Sequence, residues 1–251
     1  MATSIRNTAE SCLDVSGRIS IRKDVFGYIW GPIKDRPARA AAGLSVKRSL
    51  SVKRHLELIK GTAFNLSIFL VGHEPDFSGE FTNGEILSFQ TGVYVMREIY
   101  AKVNLGIRNL YWLRIPVDEI DGHDVVDFWE STTLTSDFSG DNDGIDLFVV
   151  SWITDAAGWS IVNGPCDKNA WFVKTGAVME LGLSDTSEWL GVLMAHEVGH
   201  YLGLEGGNDI NNVMGDDDDD DGIDTTNSGS TGVTLDQGDI MKSHCSIRSS
   251  C

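Results

Sequence analysis

Residues 194–215 read MAHEVGHYLGLEGGNDINNVMG, and no other stretch constrains the chain as much. His196, Glu197 and His200 form H-E-x-x-H in an otherwise apolar segment, with Leu190, Val192, Leu193 and Met194 before them and Val198, Leu202 and Leu204 around them. That pattern predicts a core helix from about Ser187 to Leu204. Polar side chains on a core helix need partners, because burying each one unpaired costs roughly 1–3 kcal/mol. Positions i and i+4 of a helix share a face, so His196 and His200 can present two imidazoles to one cation. Glu197 lies one step round, placed to hold a metal-bound water without ligating the metal. Zinc suits such a donor set. Gly203 lets the chain leave the helix with positive φ.

The segments before this helix suggest what surrounds it. Residues 62–72, TAFNLSIFLVG, form an apolar run rich in strand-forming residues. From Glu85 to Val103, Ile86, Phe89, Val93, Met96, Ile99, Tyr100 and Val103 recur in steps of three and four and predict an amphipathic helix. Residues 109–117, 143–153 and 170–181 read as three further strands. The order implies an α+β fold, with a mixed twisted β-sheet, an amphipathic backing helix and an active-site helix carrying H-E-x-x-H. The strand at 170–181 is a candidate edge along which an extended peptide could pair. Residues 1–60 hold the near-repeat SVKRSLSVKRHL and read as an N-terminal extension or prosegment, leaving 61–251 as the catalytic domain. A surface helix and linker with solvated charges is the competing reading of that extension.

Composition narrows the function classes. The 251 residues carry a formal charge of −17, from 37 acidic and 20 basic side chains, which repels nucleic acid and suits a cation-binding protein. No apolar run is long enough for a membrane span. The N-terminal MATSIRNTAESC has no charged-then-apolar secretion pattern. Cys12, Cys166, Cys245 and Cys251 contain no C-x-x-C pair, so a zinc ribbon is excluded. Disulfides among them would favour a secreted or periplasmic location, and reduced, partly buried thiols are the alternative. Two acidic stretches, residues 136–146 and 215–224, both end in Asp-Gly-Ile-Asp. Their alternating carboxylates around glycine make calcium a second candidate cation, although neither completes an EF-hand loop.

HEVGHYLG followed by NNVMG resembles the metzincin metallopeptidases, whose motif is H-E-x-x-H-x-x-G-x-x-H, or Asp in last place, before a turn carrying methionine. The likeness covers about residues 62–245 and is carried by this motif. It implies His196 and His200 as ligands, Glu197 as general base, Gly203 as the turn and Met214 as the turn methionine. The departure is Gly206, which stands where the family places its third ligand and has no side chain to offer. Asp209, Glu205, water, or a thiolate of Cys12 folded over the cleft could close the shell; otherwise the site is degenerate. His244 reads as a hydrogen-bonded histidine near a C-terminal helix rather than a distant ligand.

The expected function is a zinc-dependent endopeptidase acting on peptide or protein substrates, with Glu197 as general base. A catalytically degenerate binding module on the same fold is the alternative. A calcium-stabilised surface module is a third reading, from a different class.

Overall fold

The computed structural model describes residues 44–45, 62–72, 81–116, 125–140, 143–154, 156–168, 174–181, 186–215 and 227–249. Along the chain run β1 (Leu44–Ser45), β2 (Thr62–Val71), α1 (Asn83–Ala101), β3 (Leu105–Ile115), β4 (Val125–Val126) and α2 (Phe128–Phe138). They are followed by β5 (Ile145–Val150), β6 (Trp152–Ile153), β7 (Gly158–Trp159), β8 (Ala177–Glu180), α3 (Ser187–Tyr201), α4 (Leu235–Ser243) and β9 (Arg248–Ser249). The fold is mixed α+β. Its main sheet has the order β1-β3-β2-β5-β8-β7, with β9 pairing β2. Strands β3, β2, β5 and β8 are mutually parallel. Antiparallel partners sit on β3 (β1), on β8 (β7) and on the start of β2 (β9). A separate parallel pair joins β4 to β6.

Alternation along the central strands divides the core into two layers. Leu66, Ile68 and Leu70 of β2, with Leu147 and Val149 of β5 and Ala177 and Met179 of β8, face α1 and α3. The intervening residues Phe69, Val71, Phe148, Val150 and Val178 pack with Leu134 and Phe138 of α2 on the other side. Strands covered on both faces favour apolar residues, so β2 and β5 read as near-continuous apolar runs, interrupted by Asn65, Ser67 and Asp146.

Helix α1 starts where Thr82 accepts a hydrogen bond from Glu85 N while the Glu85 carboxylate accepts from Thr82 N, a reciprocal cap. Its buried stripe, from Ile86 through Phe89, Val93 and Met96 to Tyr100, lies against the sheet and α3. In α3 every residue from Leu190 to Gly199 is buried. Such burial requires close helix contact, and glycine provides it. A Cβ on Gly191 would sit 2.6 Å from the Gly92 carbonyl oxygen and against the Val95 side chain.

The structure departs from the sequence expectations at identifiable places. Helix α2 was not foreseen because its threonines weaken the helical signal, and only the Asp127–Glu130 capping box marks its start. It covers the second face of the sheet, where the expected architecture had no helix. The strand at 143–153 is broken at Ser151 into β5 and β6. The strand within 170–181 is not an edge, because β7 pairs its outer side through Gly158 with Met179 and Trp159 with Val178. A two-residue strand is too short to leave a period in the sequence, so the edge moves to β7 unannounced. Within residues 1–60, Leu44–Ser45 extends the sheet beyond β3; the remainder, with Cys12 and the Lys-Arg repeat, lies outside the described residues. Among the described residues no helix is long and apolar enough to cross a membrane.

Overpacking a closed helix contact costs about 1–3 kcal/mol. Gly191→Val should lower the unfolding free energy by that much, read as a lower urea midpoint at unchanged m-value. A midpoint equal to the parent's would show that the α1–α3 contact is looser than described.

Candidate metal centre

Helix α3 begins at the Thr186 cap, whose side chain accepts from Trp189 N, and carries His196, Glu197 and His200 in its last two turns. His196 Nδ1 lies 2.8 Å from the Val213 carbonyl and His200 Nδ1 lies 2.8 Å from the Leu204 carbonyl. A carbonyl can only accept, so both Nδ1 atoms carry the hydrogen. In the neutral rings both Nε2 atoms therefore hold lone pairs. Those two atoms face each other at 3.0 Å. Two lone pairs at that separation repel unless a proton or a cation lies between them. The carbonyl bonds that fix the tautomers are the usual outer support of metal-bound histidines. By donor chemistry and orientation, the pair fits zinc.

The turn after the helix builds the floor. Gly203 has φ +103°, as the helix exit requires, and Gly203 N donates to His200 O at 2.8 Å. The chain folds back so that Val213 N donates to Gly232 O and Gly207 N to Met214 O. Met214 N donates to the Asn212 side chain at 2.9 Å. Met214 is buried, and its Sδ would stand 2.8 Å from a Cβ at Gly199, directly under the turn between the two histidines. Val213 and Met214 thus support the pair from one turn.

Glu197 is buried, and a Cβ on Gly158 would overlap its carboxylate. Edge strand β7 therefore passes immediately beside the acid, and only glycine fits there. Tyr100 of α1 donates to Ala195 O at 2.7 Å, and burial, reinforced by the Glu197 charge, pushes its hydroxyl well above the ordinary tyrosine range. It stays a neutral donor that anchors the residue before His196.

Asp209 does not join the histidines. It is exposed, and its Oδ1 accepts from Asn211 N at 3.1 Å and Asn211 Nδ2 at 3.2 Å, closing a local turn. Glu205 and Gly206 are exposed too. Among the described residues, no third His, Cys, Asp or Glu has a ligating atom within 4.8 Å of both imidazole nitrogens. Cys12 lies outside the described residues.

His244 donates from Nε2 to Gly164 O at 2.8 Å and accepts from Ser246 N at Nδ1. It does not approach the histidine pair. With Cys166 and Cys245 it forms a close group, but those cysteines are joined as a disulfide, which withdraws both sulfurs from ligation. The group clamps the segment 163–166 to the end of α3, where Asn163 N donates to His200 O, Gly164 N to Tyr201 O, and Tyr201 OH to Pro165 O. Burial raises the Tyr201 hydroxyl as well.

In the first acidic stretch, Asp146 is fully buried. Lys168 Nζ reaches its Oδ1 at 2.7 Å, while Ser139 Oγ and Gly140 N reach its Oδ2 at 3.0 and 2.6 Å. Asp143 accepts from Asn65 Nδ2 at 2.7 Å and pairs with Arg248. Protein donors already serve these two carboxylates, which removes support for calcium at them. Asp141 and residues 216–226 lie outside the described residues.

Sequence reasoning gave no role to Lys174, Gly158 or Tyr201, and placed Tyr100 only in the apolar stripe of α1. A signal existed for Lys174, a lone cation inside an apolar run. It is 5% exposed, with Nζ 3.5 Å over the Phe128 ring, 5.7 Å from the Trp159 ring and 3.4 Å from Phe128 O. Burial depresses its ammonium to about 8, opposed by the Glu197 charge.

Comparison with known proteins adds no assignment. No family model matches the chain, and no curated protein matches it. A solved chaperone-substrate complex is similar over 72% of this chain and 33% of that one, with 16% identity and a TM-score of 0.41. The chain thus spans about a third of that neighbour's length, and a likeness so low decides neither activity nor partner.

Two outcomes follow from this packing. Lys174 binds its proton less tightly folded than unfolded, so stability should rise with pH above about 8, by on the order of 1 kcal/mol per pH unit. Lys174→Met should flatten that rise between pH 8 and 9.5 in urea titrations; an unchanged slope would remove Lys174 as its source. The Cys166–Cys245 bridge closes a sequence separation of 79 residues. Replacing both with alanine should cost about 2–4 kcal/mol and loosen amide exchange at Asn163 and Gly164.

Proposed function

We propose that the protein is a zinc-dependent endopeptidase of metzincin-like design, with His196 and His200 as ligands and Glu197 as general base. One observation carries the reading: two Nε2 lone pairs converge at 3.0 Å because both Nδ1 atoms donate to backbone carbonyls. A shared proton or a shared cation removes the repulsion between the two acceptors, and a zinc ion would take both as ligands at once. Bound there, zinc would supply an acidified water and polarise the scissile carbonyl. Glu197 would accept the proton of the attacking water and return it to the leaving amine. Burial of Glu197 beside Gly158 keeps its carboxylate close to any peptide paired on β7, the edge that replaces the strand first expected to serve. Met214 and Val213 would hold the ligands at their working angle. The Cys166–Cys245 bridge supports a secreted or periplasmic setting.

The binding-module alternative draws support from a specific observation, the glycine at position 206 together with the local turn that engages the Asp209 carboxylate. Such a protein would bind peptide without zinc and hydrolyse none.

Metal content after dialysis against trace zinc separates the readings. The parent should retain one zinc, His200→Ala should lose it, and Glu197→Gln should keep it while hydrolysis of a mixed peptide library falls at least ~100-fold. Zinc retained equally in His196→Ala and His200→Ala, or a zinc-loaded parent that cleaves nothing, would sink the peptidase.

A further inference from the structure

Strand β7 separates two different environments. Gly158 faces the Glu197 carboxylate, whereas the next residue, Trp159, packs on the opposite face with the Phe148 and Val178 layer. From Trp159 a series of rings runs outward: Phe128 lies 5.4 Å from Trp159, and Trp129 lies 5.3 Å from Phe128, both edge-on. The outer rings are wet: Trp129 is 73% and Phe128 46% exposed. Large aromatic side chains left in water beside one another are characteristic of contact surfaces. The platform is also held in place. The buried Lys174 ammonium stands over the Phe128 ring and bonds its carbonyl, and the Asp127 cap fixes the first turn of α2.

We propose that Phe128 and Trp129 form a specificity subsite that selects an aromatic side chain on a peptide paired with β7. The proposal rests on the peptidase reading of the histidine site and deepens it by naming a substrate class. The ring series begins on the edge strand itself, so the occupant is the chain that pairs there. In an antiparallel pair, the residue opposite Trp159 points its side chain to Trp159's face, towards Phe128 and Trp129. Its neighbours along the peptide point to the other face, the one on which Gly158 lies against the Glu197 carboxylate. The selected side chain therefore falls within roughly two residues of the bond that Glu197 serves. Neutral rings also suit this enzyme's recognition surface, because the overall charge of −17 disfavours acidic peptides.

The test uses binding as well as cleavage. Zinc-loaded Glu197→Gln protein is titrated calorimetrically with two peptides that differ only by phenylalanine or alanine at one position, scanned along the sequence. At one position, phenylalanine should bind about tenfold tighter. Adding Trp129→Ala to this background should abolish that preference with the melting temperature unchanged, since the side chain is mostly exposed. Equal affinities at every position, or a preference that survives Trp129→Ala, would overturn the subsite. Library digestion by the parent separates the two ideas. Cleavage without aromatic bias near the scissile bond would discard the subsite and leave the peptidase standing. Trp129-dependent aromatic binding with no hydrolysis by zinc-loaded parent would uphold the subsite and discard the peptidase.

Discussion

Two imidazole nitrogens held 3.0 Å apart, both left as acceptors once their Nδ1 hydrogens go to carbonyls, set the demands on everything around them. The arrangement is held open by the backbone. Val213 O and Leu204 O take the Nδ1 hydrogens, and both carbonyls belong to the segment that leaves α3 and returns beneath it. That return needs a left-handed residue at Gly203 and a methionine turn packed under Gly199. Removing either would free the histidines to relax into ordinary hydrogen bonds, and the convergence would be lost.

Keeping such a helix inside the protein requires close packing on every side. Glycines face the neighbours where contact is tightest: Gly191 towards α1, Gly199 towards Met214, and Gly158 of β7 towards Glu197. Tyr100 and Tyr201 add buried hydroxyls that donate to Ala195 O and Pro165 O, pinning the helix to α1 and to the disulfide-bound segment. Polar groups in this interior are therefore paired by geometry set at a distance, as low-dielectric surroundings demand. The buried Asp146–Lys168 pair performs the same service at the other end of β5, where a cation site had been one reading of the sequence.

In the proposed peptidase the edge strand would connect this interior to a substrate. With β7 paired on one side by β8, its other side is open among the described residues, and its two residues look to different faces of the sheet. One meets the acid, the other meets aromatic rings. A peptide added there would meet the rings on one face and the Glu197 side on the other, which would couple its selection to its position along the strand.

Much of this was legible in the residues. The H-E-x-x-H helix, its glycine exit, the amphipathic α1 and the apolar β2 and β5 all follow from periodicity, because each is set by contacts within a few residues or by burial on a whole face. The α+β class followed from their order. Short or polar elements were hidden: α2 behind its threonines, β7 behind its length of two residues. Asp209 was a fair candidate by spacing alone, yet its carboxylate closes a turn with Asn211, a choice that depends on how the loop folds back rather than on distance along the chain. The sequence by itself determined which side chains could meet a cation, since helical spacing puts His196 and His200 on one face whatever surrounds them. Only the tertiary structure decided their tautomers, the edge beside Glu197 and the rings beyond it, because carbonyl acceptors and strand neighbours come from residues distant in sequence.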